Sequence, residues 1–254
     1  DKPMTLEQLV AAGALSADAA DELSRLVKAK YNIFICGGTG SGKTTFLNAL
    51  SGCIPQDERI ITIEDSAELQ IKGVENLVRL ETRNSNCEGK GQITIKDLIK
   101  TSLRMRPERI IVGEVRGEEA LDMLQAMNTG HEGSLSTGHA NSARDMLKRL
   151  ETMVLSAAPL PLEAIRQQIA SAIDIIIHLG RLRDKSRRVL EISEVAGYMN
   201  GEIVLNPIYV FKVTGTENDV TVRGSLFYTG NTLVKTNKLK MAGIKSRLGG
   251  SGHA

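Results

Sequence analysis

Between Ile35 and Thr45 the chain reads Ile-Cys-Gly-Gly-Thr-Gly-Ser-Gly-Lys-Thr-Thr, and no other stretch restricts the possible fold so tightly. Gly37, Gly42, Lys43 and Thr44 have the G-x-x-x-x-G-K-[ST] spacing of a phosphate-binding loop. Such a loop turns successive backbone N–H groups inward around a polyphosphate. It needs glycines, which reach positive φ and let a ligand come close to the backbone. The lysine brings a point charge to the β- and γ-phosphates, and the Thr44 hydroxyl can hold Mg²⁺. The flanks agree: residues 31–36 form an apolar run that reads as a strand, and residues 45–50 read as a helix. The phosphates would then rest on a helix N-terminus, with Gly38, Thr39, Gly40, Ser41, Gly42, Lys43, Thr44 and Thr45 as the cradle.

The remaining pattern supplies the sheet such a loop requires. Apolar runs at 60–63, 77–81, 109–112, 133–137 and 173–178 read as strands. Helices are expected at 4–12, 17–30, 94–105, 118–127, 142–155 and 162–172. Thr5 with Gln8, Ser16, Thr94 with Asp97, and Ser142 are their capping residues. Pro107 ends the third of these, because the residue before a proline avoids the α region. Residues 189–198 and 202–212 flank Asn200-Gly201, a strong hairpin signal. Alternating strands and helices predict an α/β fold, with a mainly parallel sheet flanked by helices and an added antiparallel hairpin. Beyond Val213 the pattern weakens: residues 214–219 read as a polar turn, followed by short strands near 220–222 and 225–228. Residues 249–252 are linker-like. The expected organisation is helices at 1–30 linking an earlier module, a nucleotide domain at 31–212, and a C-terminal extension at 213–254. The first residue is Asp, which suggests a processed or partial chain.

Composition narrows the function classes. A formal charge of +2 gives no global field for nucleic acid or an anionic membrane. Aromatics are 3% and Trp is absent, which opposes base-stacking platforms for single strands. Cys36, Cys53 and Cys87 show no metal-type spacing and fit free thiols in a reducing compartment. No apolar run reaches the roughly 18 residues of a membrane span.

In an open parallel sheet, ligands bind beyond the carboxyl ends of the strands. Glu64-Asp65 and Glu114 close two apolar strands there. Glu114 stands where Mg²⁺ or its water ligands are held, and Glu64 could orient and deprotonate an attacking water. Their roles are exchangeable on spacing alone. His139, in Ser136-Thr137-Gly138-His139-Ala140-Asn141-Ser142, could donate to a γ-phosphate. His131 is less clear, and His178 reads as a core histidine. Arg79, Arg83, Arg104, Arg106 and Arg116 are candidates for an arginine reaching the γ-phosphate from a neighbouring subunit. Arg79 and Arg83 rank first, and Arg116 last.

Four motifs in order resemble the Walker A, Asp box, Walker B and His box of the type II/type IV secretion ATPase superfamily. They are Gly37 to Thr45, Ile61-Thr62-Ile63-Glu64-Asp65-Ser66-Ala67-Glu68-Leu69, Val112-Gly113-Glu114-Val115-Arg116-Gly117, and the stretch around His139. The closest resemblance is to the CpaF-like branch, which assembles Flp-type pili. The resemblance implies a RecA-like core in a homohexamer, with ATP between subunits. It also implies Mg²⁺-dependent hydrolysis in the cytosol, at an inner-membrane platform protein. By position, the Asp-box and Walker B glutamates become Glu64 and Glu114, and the His-box histidine becomes His139. The arginines that reach a neighbouring site become Arg79, Arg83, Arg104 and Arg106. The alternatives are a nucleic-acid motor of the conjugation or helicase type, and a nucleotide switch that does not hydrolyse. The composition opposes the first. Against a guanine-nucleotide switch, Asn237-Lys238-Leu239-Lys240 only partly matches N-K-x-D.

Overall fold

Strand residues that alternate side by side, both sides apolar, belong in a sheet covered on both faces. The computed structural model, which describes residues 3–217 and 221–250, has this arrangement. On β1 (Ile33–Gly37), Ile33 and Ile35 enter one core while Phe34 and Cys36 enter the other. β2 (Arg59–Glu64), β4 (Arg109–Val112) and β6 (Ile175–Arg181) divide their isoleucines in the same way. With β3 (Asn76–Glu81), β5 (Leu135–Gly138), β7 (Arg187–Met199), β8 (Glu202–Glu217) and β9 (Thr221–Tyr228) they form one sheet in the order β3-β2-β4-β5-β1-β6-β7-β8-β9. The first six strands of that order run parallel, and β7, β8 and β9 form an antiparallel meander on β6.

Helices α1 (Leu6–Ala11), α2 (Ala17–Lys28) and α3 (Lys43–Ser51) cover one face. Helices α4 (Ile95–Ser102), α5 (Glu119–Asn128), α6 (Ala143–Ala157) and α7 (Leu162–Ala172) cover the other. The four caps form as their spacing predicts, with reciprocal boxes at Thr5–Gln8 and Thr94–Asp97 and side-chain acceptance by Ser16 and Ser142. The helix expected to reach residue 105 ends at Ser102 and continues as a 3-10 turn through Met105. Asn200 and Gly201, at φ 52° and 81°, turn β7 into β8.

One expectation for the C-terminal part needs correction. Residues 214–217 are strand, because β8 runs on past a bulge between Val213 and Gly215 and pairs with β9. Thr214-Gly215-Thr216-Glu217 is an unbroken polar run, and composition alone does not separate such a strand end from a turn. Asn218, Asp219 and Val220 lie outside the described residues, as do Ser251, Gly252 and His253 of the tail. Asn237–Ala242 is a short helix, α8, so the partial guanine motif sits on a helix turned to another use. There Lys238 Nζ donates to Asp174 at 2.7 Å and to the Lys30 carbonyl at 3.0 Å. Buried Glu194 accepts from the backbone of Val234 and Lys235, so this segment is pinned beneath the amino ends of β1 and β6. The opposite end of the sheet is left open. Among the described residues no helix is long and apolar enough to cross a membrane.

Candidate active site

β1 is central and fully buried, so the loop after it is held on a rigid base. Gly37 has no room for a side chain: a Cβ there would lie 2.5 Å from the Leu179 carbonyl oxygen and from Ser41 Oγ. Gly40 and Gly42 take φ of 73° and 95°, and Gly42 stands at the N-cap of α3. These are the positions where the left-handed backbone makes glycine necessary. Lys43 is buried and folds back on its own loop. Its Nζ donates to the carbonyls of Gly37 at 3.2 Å and Gly38 at 3.1 Å, and lies 3.4 Å from His139 Nδ1. Burial lowers its pKa, and the Glu114 charge opposes that.

The neighbouring strand ends close the cleft. Thr137 Oγ1 donates to the Gly113 carbonyl at 2.7 Å, and the Val115 amide donates to Thr137, fixing β4 against β5. This brings Glu114 to His139, with Nε2 to Oε1 at 2.7 Å. No aligned hydrogen bond reaches that buried oxygen. Glu64 is 4% exposed, and its Oε1 accepts from the amides of Glu68 at 3.0 Å and Leu69 at 2.8 Å. Burial pushes its carboxyl pKa up, and the two amides pull against it. A Cβ on Gly113 would approach Glu64 Cγ to 3.1 Å, so a glycine beside Glu114 lets the two carboxylate strands close together. His139 is lowered, first by burial and then by the Lys43 charge, which favours a neutral imidazole.

One cleft of about 560 Å³ gathers Thr39, Gly40, Gly42, Lys43, Thr44, Thr45, Glu64, Glu114 and His139. Gly38 and Ser41 belong to the loop but not to this wall. Arg79 lies exposed on edge strand β3, and its charge is felt at Glu64. Arg83 donates to the Gly91 carbonyl at 2.6 Å, and Arg104 and Arg106 are exposed beyond α4. Of the five arginines, Arg116 is the one hydrogen-bonded to a site carboxylate, reaching Glu114 at 2.5 Å, with Asp65 3.6 Å away. Two further wall residues escaped the sequence reading. Glu68 lies 3.5 Å from Thr44 Oγ1, and its spacing four after Glu64 was a usable signal. Arg187 donates from Nε to the Gly40 carbonyl at 2.9 Å, and only the placement of β7 reveals it. His131 Nδ1 meets the Pro107 carbonyl at 3.1 Å, away from the cleft. His178 is half-buried on β6 opposite Glu191, and burial lowers it.

The oxygens of Thr44, Glu114 and Glu68 are hard donors. Mg²⁺ is held by one or two carboxylates together with phosphate oxygens and water, not by an all-protein cage. Among the described residues no group of three His, Cys, Asp or Glu side chains could hold a metal ion by itself. The donor set therefore fits Mg²⁺ arriving with a polyphosphate.

Comparison with known proteins gives the same direction. The family model described as "Type II/IV secretion system protein" matches residues 1–227. A putative conjugal transfer protein of Mycobacterium tuberculosis is 44% identical over 188 residues, 74% of this chain and 53% of its own length. The type IV secretion system protein PtlH of Bordetella pertussis is 42% identical over 181 residues, 68% of this chain and 53% of its own. The chain thus spans about half the length of these relatives. Among solved structures, the VirB11 ATPase of the Brucella suis type IV secretion system, crystallised with sulphate, aligns at TM-score 0.62 and 35% identity. That alignment covers 74% of this chain and 55% of the other. The pilus retraction motor PilT with bound ADP aligns at TM-score 0.56 and 22% identity over 95% of this chain and 58% of its own, a likeness of fold. A RecA-like core, four ordered motifs and a family match over most of its length lead to one assignment: the chain belongs to the type II/IV secretion system protein family.

Proposed function

We propose that this chain carries out Mg²⁺-dependent ATP hydrolysis that powers protein secretion or pilus assembly. The supporting observation is the convergence of Lys43, Glu64, Glu114 and His139 on one cleft at the carboxyl ends of β1, β2, β4 and β5. Lys43 now holds two loop carbonyls, weak partners that a phosphate would replace. Glu64 is fixed by two amides and raised by burial, which suits a base that orients water. Thr44 and Glu114 would hold Mg²⁺, which when bound neutralises charge on the phosphates. His139 sits between Lys43 and Glu114 and can signal phosphate occupancy from one to the other.

Arg79 and Arg83 lie outside the cleft wall of their own chain. In this reading they serve a neighbouring subunit in a homo-oligomer, a hexamer by family resemblance. The working protein would sit peripherally at the cytoplasmic face of an inner membrane, on a platform protein, with residues 1–30 leading from a preceding domain. Assignment to the Flp-pilus branch rests on the motif resemblance alone. Phosphate release by the assembled protein tests the reading. Lys43→Ala and Glu114→Gln should each lower turnover about 100-fold or more. Unchanged turnover in either variant would refute the site, and stimulation by DNA in place of protein partners would favour the nucleic-acid motor.

A further inference from the structure

Residues 229–250 lie beyond the stretch that the family model matches, and hydrolysis as proposed makes no use of them. They leave β9, cross the amino end of the sheet as a strap and then turn back along α2. The strands grip the strap from one side. Buried Glu194 accepts from the amides of Val234 at 3.0 Å and Lys235 at 2.8 Å. Lys235 Nζ donates to the carbonyls of Ala170 at 2.7 Å and Ile173 at 3.3 Å, and the Lys235 carbonyl accepts from Tyr31 Oη at 2.5 Å. Lys238 Nζ holds Asp174 and the Lys30 carbonyl. Leu233, Leu239 and Leu248 sink into the same core as the leucines of α1 and α2.

From the other side the strap holds α2. Asp18, Glu22 and Arg25, spaced four and three apart, share one face of that helix. Arg247 donates to Asp18, Ser246 donates to Glu22, and Arg25 Nη1 donates to the Lys245 carbonyl at 2.5 Å. Arg247 Nη2 also reaches Tyr209 Oη at 2.7 Å, and its guanidinium lies 4.2 Å from the centre of the Tyr228 ring. The joint between α2 and β1 is Lys30, at φ 63°, a left-handed value for a residue with a side chain. The Lys238 bond to the Lys30 carbonyl falls on that joint. Outside this grip, α1 and α2 are tied to the sheet at the Gly13, Ala14 and Val27 carbonyls and at Asp18 by Tyr209.

Strap and helix thus satisfy each other's polar groups, and either one leaving alone would strand groups that are now paired. The rest of the sheet does not depend on them in this way. Its other face is packed by α4 to α7, and no described residue of α1, α2 or the strap enters that core. Packing boundaries of this kind separate units that open independently. We propose that α1, α2 and the strap form one cooperative unit that opens from the sheet about Lys30 while the sheet and its other helices stay folded. In the reading of residues 1–30 as the lead from a preceding domain, on which this last step rests, the strap sets how firmly that domain is aligned with the nucleotide cleft.

Hydrogen–deuterium exchange of the full 254-residue chain tests the unit with Lys238→Met and Arg247→Ala, which act at opposite ends of the strap. In wild type, the amides of α2 and of residues 231–248 should share one level of protection, below that of β1 and β4. Each substitution should speed exchange in both α2 and the strap about tenfold, with β4 and α5 within about twofold. Acceleration only in the peptide that carries the change would show separate contacts and overturn the unit. Equal acceleration in β4 and α5 would overturn it as well, since the strap would then belong to one global core. Unchanged exchange would mean that the strap holds nothing. None of these results bears on hydrolysis, which Lys43→Ala tests separately.

Discussion

Arg109 opens β4, the strand whose far end carries Glu114, and it is wholly buried. Its Nε and Nη2 grip both oxygens of Glu58 at 2.6 and 2.8 Å. Its Nη1 donates to the carbonyls of Val27 at 2.7 Å and Gly133 at 3.3 Å. One side chain thus ties the end of α2 and the turn before β5 to the centre of the sheet. Arg109→Met keeps the volume and removes every donor. Glu58, 7% exposed, would then face Lys30 Nζ at 3.9 Å as its remaining cation. Breaking a buried pair from one side costs about 3–5 kcal/mol. That is a large part of the ~5–15 kcal/mol that holds a domain folded. Glu58→Leu with Arg109→Met removes the stranded charge; the Val27 carbonyl keeps the Lys30 amide, and the Gly133 carbonyl loses its Arg109 contact, at about 1–3 kcal/mol for that loss. The double variant should therefore be more stable than the single by roughly 2 kcal/mol. Urea unfolding followed by circular dichroism measures both. A single variant within about 1 kcal/mol of wild type, or a double no better than the single, would refute this account of the pair.

Three further outcomes are expected. Burial raises the Glu64 pKa, so the folded state favours its protonated form; that contribution is full below the unfolded pKa and is lost as pH rises through the folded value. Glu64→Gln, which can still accept both amides, should melt at or above wild type at pH 7, and a gain that grew in acid would contradict the sign. Arg116→Ala removes an exposed cation that helps to depress His139, so the imidazole should titrate higher by NMR with little change in melting. A lower value would place the cause elsewhere. Gly201→Val puts a β-branched residue at φ 81° and should cost about 1–3 kcal/mol in urea unfolding; no loss would mean that the hairpin turn is not strained by a side chain.

Much of the site was legible because its chemistry is local. Gly37 to Thr44 must be one short run, and the spacing of that run declares the backbone it makes. Glu64 and Glu114 were legible because each closes an apolar strand, and the carboxyl ends of parallel strands share one edge. Glu68 was within reach, since the short loop after Glu64 folds back and gives its amide to the Glu64 carboxylate. The distinction between Arg116 and the other arginines was not. A guanidinium reaches far enough that spacing leaves its target open, and only the β4 turn shows that it meets Glu114. At the C-terminus, a continuous polar run hid the end of β8, and a nucleotide-like tetrapeptide proved to be a helix anchored on Asp174.

Two kinds of information are therefore separable in this protein. The sequence by itself determined the phosphate loop, the order of strands and helices, the four caps and the two glutamates, because each depends on neighbours within a few residues. Tertiary structure alone decided what crosses the sheet. It set β1 between β5 and β6, turned Lys43 onto its own loop beside His139, and carried Arg187 from β7 to the Gly40 carbonyl. Those contacts join residues about 100 to 150 positions apart. No local propensity encodes such pairs; they follow from burying both faces of one sheet, which fixes the strands side by side.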